Sequence, residues 1–163
     1  MIHLEKVDEK NINEILALDV TEAQRKFVAS NKYSMDQASA VDGISHFAFP
    51  FGIYDDDEPV GFIMVGFNEP PQNSRHGGHP SALKNNYSIW RFMIDTKHQS
   101  KGYGRVAMNL ALDFVRTFPC GKAEYCVLSY KPWNEVAKKL YYSVGFEENG
   151  EADGDEVIAV LKL

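Results

Sequence analysis

Cysteine is scarce in this sequence, since Cys120 and Cys126 are the two thiols among 163 residues. Two thiols cannot form the disulfide framework that staples small secreted domains, and no other ligand accompanies them at metal-site spacing, so both are expected to be free. Long apolar runs are also absent. Residues 62–67 (FIMVGF) have the length of a strand, far below the roughly 20 residues of a membrane helix. These shortages exclude a disulfide scaffold and predict no membrane span.

Basic residues are outnumbered, with 17 Lys and Arg against 23 Asp and Glu and a net charge of −6. The electrostatic field of this net negative charge repels nucleic acid and anionic lipid and favours cationic partners. Charged residues appear by position 5, before any apolar region, which predicts neither a signal peptide nor a transit peptide. The expectation is a cytoplasmic protein that binds neither nucleic acid nor a membrane.

The hydrophobic content of 44% and the length predict a single domain, residues 1–163. The patterns predict a strand and two or three short helices in residues 1–42, a hairpin over 46–54 and 60–68, a strand over 87–95, a helix from 102, a strand over 123–129, a helix over 134–143 and a final strand over 156–163. Antiparallel strands followed by a β-α-β-α-β tail indicate an α+β (α/β-like) sheet with helices on both faces.

Two local patterns in the sequence carry further expectations. Ser34-x-x-Gln37 has the form of a capping box and predicts a helix start. Residues 69–86 form a long loop rich in Pro, Gly, Asn and Ser, which is interpreted as a functional flap. Within it, His76 and His79 are spaced like metal ligands, but no Cys, Asp or Glu flanks them, so no metal site is predicted.

Residues 95–105 (DTKHQSKGYGR) join a buried strand to a long helix. Unpaired backbone N–H groups at a helix N-terminus form an anion site, and glycines allow close approach of a phosphate. The spacing of a Walker loop is absent, which argues against NTP hydrolysis. Gly102-x-Gly104-x-x-Ala107 satisfies a relaxed dinucleotide fingerprint, but several polar residues separate it from the strand, which disfavours that interpretation.

The third match is Gln99-x-x-Gly102-x-Gly104, and residues 134–146 (NEVAKKLYYSVGF) match N-x-x-A-x-x-L-Y-x-x-x-G-F in full. With both motifs the chain resembles the GNAT superfamily of N-acetyltransferases. Residues 90–95 (WRFMID) and 128–132 (LSYKP) are similar to its bacterial spermine/spermidine (diamine) acetyltransferase branch. The resemblance implies the GNAT fold, a mixed, mostly antiparallel sheet of six to seven strands, and acetyl-CoA (coenzyme A) as the cofactor.

The resemblance also implies the roles of individual residues. The implied coenzyme-binding residues are Phe92, Met93 and Ile94 for pantetheine, Gln99, Ser100, Lys101, Gly102, Tyr103, Gly104 and Arg105 for the pyrophosphate, and Asn134 and Ala137 beside the arm. Tyr141 is implied to be the catalytic general acid that protonates the departing thiolate. No residue is assigned as the general base.

Six carboxylates occur in residues 147–156, which form either a solvated hairpin or one side of an acceptor pocket. In the second interpretation Asp19, Glu22, Glu151 and Asp153 bind a small-molecule amine, such as spermine or spermidine, whose spaced ammonium groups need spaced carboxylates. Two alternatives stay open: a protein N-terminal or lysine acetyltransferase, and a non-catalytic acyl-CoA-binding regulatory module. By family analogy, the expected assembly is a homodimer.

Overall fold

The computed structural model describes residues 1–70 and 80–163. Its strands are β1 (Ile2–Lys6), β2 (Phe47–Asp55), β3 (Glu58–Phe67), β4 (Tyr87–Ile94), β5 (Tyr125–Tyr130), β6 (Glu147–Asp153) and β7 (Glu156–Lys162). Its helices are α1 (Ile12–Ala17), α2 (Asn31–Ala40), α3 (Tyr103–Arg116) and α4 (Glu135–Ser143), with short 3-10 turns at Glu22–Gln24, Ser81–Leu83 and Thr96–His98. The described strands form one sheet in the order β1-β2-β3-β4-β5-β7-β6.

Every neighbouring pair in this sheet is antiparallel except β4 and β5, which run parallel. Alternation along β3 sends side chains to both faces: Phe62 and Met64 pack with Ile15 of α1, whereas Ile63 and Val65 pack with α3 and α4. The predicted α+β fold, with a mixed seven-stranded sheet covered on both faces, is therefore confirmed.

The start of α2 differs from the sequence prediction. Ser30 caps this helix, because its hydroxyl accepts a hydrogen bond from the Tyr33 amide at 3.2 Å. Ser34 lies inside the first turn, is fully buried, and donates its hydroxyl to the Ser30 carbonyl at 3.0 Å. The capping box predicted at Ser34 and Gln37 is therefore wrong, since the helix begins one turn earlier.

The predicted flap is described only at its two ends, because residues 71–79 lie outside the described part of the chain. The spaced pair His76 and His79 lies outside it as well. Across residues 1–70 and 80–163, no group of His, Cys, Asp and Glu side chains is arranged to hold a metal ion. No helix in those ranges has both the length and the apolar character to cross a membrane.

The second end of the predicted flap is docked on the sheet. Leu83 is buried against Ile158 of β7. The Asn86 side chain accepts a hydrogen bond from the Tyr125 amide at 3.0 Å, which ties the loop to the start of β5. Residues 80–86 thus belong to the packed domain and not to a free flap.

Candidate active site

The central feature of the sheet is a gap between its two parallel strands. β4 and β5 pair only at Tyr87 with Cys126 and at Ser88 with Val127, and beyond these residues they diverge. A register shift against β3 leaves Trp90 as an extra residue in β4, and such a bulge bends a strand. From its middle onwards, this edge of β4 consequently has no strand partner among the described residues.

The backbone of β4 presents hydrogen-bonding groups to this gap. The Asp95 amide donates to the Val60 carbonyl at 2.9 Å, which fixes the side of the strand that faces β3. Because successive residues alternate in antiparallel pairing, Met93 also faces β3, whereas Phe92 and Ile94 face the gap. Two of the three predicted pantetheine residues therefore have backbone groups on this side, and Met93 does not. The Ile94 carbonyl already accepts a hydrogen bond from the Gln99 side chain at 3.0 Å, so Ile94 has its amide to offer.

The turn before α3 has the backbone form expected of an anion site. Ser100 and Gly102 adopt positive φ angles of 64° and 82°, and α3 begins directly after them. A Cβ atom built on Gly102 would meet nothing within 4 Å, so open space lies beside the turn. The first amides of an α-helix have no intrahelical acceptor, and the positive end of the helix dipole lies here. This geometry fits a diphosphate.

Most side chains of that turn are engaged with the protein itself. Gln99 exchanges hydrogen bonds with Gln24 at 3.0 and 3.1 Å. The Tyr103 hydroxyl donates to Asp55 at 2.6 Å, and the Arg105 guanidinium donates to a carbonyl in the last turn of α4 at 3.2 Å. These contacts hold the turn in place, so its anion-binding capacity lies mainly in its backbone.

Helix α4 places Tyr141 at the mouth of the gap. Asn134 caps the helix by accepting a hydrogen bond from the Ala137 amide at 3.3 Å. One turn beyond Ala137, the ring of Tyr141 lies 5.5 Å from Tyr130 and 6.3 Å from Phe146. The side chain is only 9% exposed, and its hydroxyl has no hydrogen-bond partner among the described residues. Tyr141 is thus a buried phenol without a fixed partner.

The electrostatics of Tyr141 favour its protonated form. Burial raises the pKa of its phenol well above the ordinary value of 10.0, and the negative charge of Glu156 raises it further. The hydroxyl consequently carries its proton throughout the neutral and mildly alkaline range. A protonated phenol facing a cleft can act as a general acid.

Tyr141 lines a cleft of about 370 Å³. The cleft is bordered by β4, β5, the β6–β7 hairpin and residues 25–29, which precede α2. Three carboxylates line its described part: Glu69, which is 8% exposed, Asp153 and Glu156. The cleft can therefore hold a small molecule beside the phenol.

The cations of the cleft are engaged by the protein. Arg25 donates to Asp19 at 2.6 Å. The half-buried guanidinium of Arg91 donates to the Trp90 carbonyl at 2.7 Å and to Gln37 at 2.6 Å, and its partial burial lowers its pKa. These bonds hold the positive groups to the walls.

The structure separates the four carboxylates predicted for the acceptor, Asp19, Glu22, Glu151 and Asp153. Of these, only Asp153 is among the described residues that line the cleft. Asp19 is held by Arg25, and Glu151 accepts hydrogen bonds from the amide and hydroxyl of Ser81 at 2.7 and 3.1 Å. Glu22 lies in a short 3-10 turn of which no residue is buried. Three of the four do not line this cleft, so their role in binding the acceptor stays a prediction from the sequence.

Sequence reasoning included Glu156 in the acidic segment 147–156 without singling it out, and it missed Glu69 as a cleft residue. Glu156 stands directly opposite Asp153 across a two-residue turn. The spacing Asp153-Gly154-Asp155-Glu156 is a hairpin signal that could have placed the two carboxylates side by side. Glu69 follows β3 in the loop, where no periodicity indicates burial.

Comparisons with known proteins agree with this geometry. The chain is 30% identical over 162 aligned positions to a spermine/spermidine N(1)-acetyltransferase of Bacillus subtilis (strain 168), with 96% of each chain covered. An aminoglycoside acetyltransferase solved with coenzyme A and kanamycin superimposes with a TM-score of 0.75 at 16% identity, over 99% of this chain and 95% of that one. An N-acetyltransferase from Thermoplasma acidophilum, solved with coenzyme A, gives a TM-score of 0.63 at 15% identity, over 100% and 99%.

The sequence profile described as the acetyltransferase (GNAT) family matches residues 7–146, which include the gap, the turn and Tyr141. The chain is an N-acetyltransferase, and acetyl-CoA is its co-substrate. By its profile, its relatives and its fold, the chain belongs to the acetyltransferase (GNAT) family.

Proposed function

We propose that this N-acetyltransferase acetylates a primary amine of a polyamine such as spermine or spermidine. The observation that carries the proposal is the position of Tyr141, whose phenol is buried, has no hydrogen-bond partner in residues 1–70 and 80–163, and lies in a cleft that opens where β4 and β5 diverge. The name of the Bacillus subtilis relative supports a polyamine acceptor. The carboxylates that line the cleft supply charge complementary to ammonium groups.

The proposed roles follow the geometry of each element. The amides of residues 99–105 hold the diphosphate of acetyl-CoA, while Phe92 and Ile94 offer backbone groups to its pantetheine arm, beside Asn134 and Ala137. When bound, acetyl-CoA supplies an activated acyl group. Tyr141, which is protonated at neutral pH, gives its hydroxyl proton to the sulfur as the carbon–sulfur bond breaks, and the tyrosinate then regains a proton from the nitrogen that has formed the new amide bond.

The proposal is tested by measuring thiol release from acetyl-CoA with a panel of amines. The panel contains spermine, spermidine, kanamycin, free amino acids and peptides with a free N-terminus or lysine. The highest kcat/KM is expected with the polyamines. Turnover confined to peptides would instead establish a protein acetyltransferase and refute the polyamine proposal.

The homodimer stays a prediction from family analogy. Light scattering on the purified protein measures its mass against the 18.4 kDa of one chain. A mass of twice that value is expected, and a monomer at micromolar concentration would contradict it.

A further inference from the structure

The hairpin of β6 and β7 brings two carboxylates together at the cleft. Asp153 and Glu156 are register partners across the hairpin, and Gly154, with a φ of 60°, occupies the first position of the two-residue turn. Like charges directly opposite one another destabilise a sheet. Both side chains line the cleft, so this repulsion lies where an acceptor would bind.

The protein neutralises this pair incompletely. Lys131 forms an ion pair with Asp155 and lies 4.0 Å from Glu156, which also accepts a hydrogen bond from Ser129 at 2.6 Å. No described residue forms a hydrogen bond or an ion pair with the Asp153 side chain. Among the described residues, Lys131 contacts Asp155 and Glu156 but not Asp153, so the Asp153 carboxylate is available to a cationic ligand.

Tyr141 gives an independent indication that a ligand binds at this place. Its hydroxyl lines the same cleft, its side chain is 9% exposed, and it has no hydrogen-bond partner among the described residues. Glu156 is the charged group whose field acts on this phenol. The carboxylate pair thus lies near the end of the cleft where acetyl transfer takes place.

The other charged residues of the cleft favour one orientation of a cationic acceptor. Arg25 and Lys26 line it from the segment before α2, and Arg91 lines it from β4. Glu69, the third carboxylate that lines the cleft, acts electrostatically on Arg91. A chain of ammonium groups is therefore repelled by the cations on this side and attracted to the hairpin. A cationic acceptor with its reacting amine at Tyr141 would therefore place its next ammonium group toward Asp153 and Glu156.

We propose that Asp153 and Glu156 bind the non-reacting ammonium group nearest to the reacting amine, and that they thereby select acceptors with two or more amines. This inference rests on the proposed polyamine function. The two residues act as specificity-determining residues. They hold the second ammonium group, while the reacting nitrogen is left free to lose its proton and attack the acyl carbon.

The test compares 1,4-diaminobutane with butylamine, two amines that share a four-carbon chain and differ by one ammonium group. Kinetic constants are measured by thiol release for the wild type, Asp153→Asn and Glu156→Gln. Since a hydrogen bond to a charged group is worth more than a neutral one, each variant should lower the diamine-to-monoamine ratio of kcat/KM about 10-fold or more. The KM for acetyl-CoA should stay unchanged.

The matched control is Glu147→Gln, which removes an exposed carboxylate from β6 that does not line the cleft. It should leave the ratio unchanged. Because Asp153→Asn removes like-charge repulsion and breaks no hydrogen bond or ion pair with a described residue, it should not lower the thermal midpoint, whereas a purely structural role for Asp153 predicts a lower one.

Two results would overturn the inference. An unchanged diamine-to-monoamine ratio in both variants, which includes equal losses with both amines, overturns this inference alone if the wild type acetylates polyamines. A wild type that acetylates other amines but no diamine or polyamine overturns the proposed function together with this inference.

Discussion

Replacing Tyr141 with Phe isolates the role of a single hydroxyl group. The ring contacts with Tyr130 and Phe146 are retained, and the hydroxyl forms no hydrogen bond with a described residue. The substitution therefore removes no hydrogen bond between Tyr141 and the described residues. The free energy of unfolding should change by no more than about 1 kcal/mol.

The rate, in contrast, should fall strongly. General acid catalysis by a positioned side chain contributes about 10²- to 10⁴-fold, which corresponds to about 3 to 5 kcal/mol of activation free energy. We expect Tyr141→Phe to lower kcat by that factor and to leave the KM for acetyl-CoA unchanged, because the coenzyme contacts assigned above lie on β4, the turn and the start of α4.

The pH dependence of the wild type gives a second reading of the same group. Burial raises the pKa of the phenol above 10.0, so its acidic form persists to higher pH than that of an exposed tyrosine. The rate should rise with pH as the acceptor amine loses its proton, and it should show no decline caused by tyrosine ionisation below about pH 10.

The kcat values and their pH dependence are measured by thiol release with a saturating amine, and the free energy of unfolding of each variant is measured by urea denaturation. The control is Tyr142→Phe, because Tyr142 is the adjacent residue on α4 and is 45% exposed. This variant should keep its kcat. A Tyr141→Phe enzyme with wild-type kcat would refute the general-acid role, and an equal loss in Tyr142→Phe would show a non-specific effect on α4.

Three further perturbations test the turn, the core and an ion pair. In Gly102→Ala the added Cβ meets no atom within 4 Å, but alanine must adopt a φ of 82°, which costs about 1–2 kcal/mol. Because this strain disturbs the turn, acetyl-CoA should bind more weakly in calorimetry, while the KM of the amine stays constant. Ile15→Ala truncates the fully buried side chain by which α1 packs on the sheet, and it should lower the free energy of unfolding by about 2–5 kcal/mol in urea titrations. Hydrogen bonds from Tyr130 and then Lys138 lower the pKa of Glu148 below 4.5, so its stabilising effect is present above that pH and is lost as the pH falls through the folded-state pKa. Glu148→Gln should therefore destabilise the protein at pH 7 and have little effect at pH 2.

Much of the fold could be predicted because hydrophobic periodicity follows the two faces of the sheet. The run around Phe62 and Ile63 predicts a buried strand. β6 carries no such signal, because Glu147–Asp153 is an acidic edge strand with little apolar alternation, and its pairing with β7 fixes it. The predicted capping box at Ser34 was wrong because a four-residue pattern does not distinguish Ser34 from Ser30, one turn earlier. Which of the two serines is buried depends on the packing of the helix.

The candidate site was predictable to the extent that it depends on local motifs. The turn at Gly102 and the helix with Tyr141 are each encoded within a dozen consecutive residues. The acceptor side depends on which segments meet in space, so the carboxylates of Asp19 and Glu151 were grouped by their charge alone. The structure shows that each already serves a contact within the protein, with Arg25 and with Ser81.

The narrow seam between β4 and β5 has a mechanical consequence. Two residue pairs join a four-stranded half of the sheet, β1 to β4, to a three-stranded half, β5 to β7. The halves also share the hydrophobic core that packs against α3 and α4. Backbone hydrogen bonds therefore link the two halves less than they link the strands within either half, which form longer ladders. A bound molecule that contacts both β4 and β5 adds links between the two halves of the sheet. Its binding should therefore slow amide hydrogen exchange in both halves together, including at amides far from the atoms it touches.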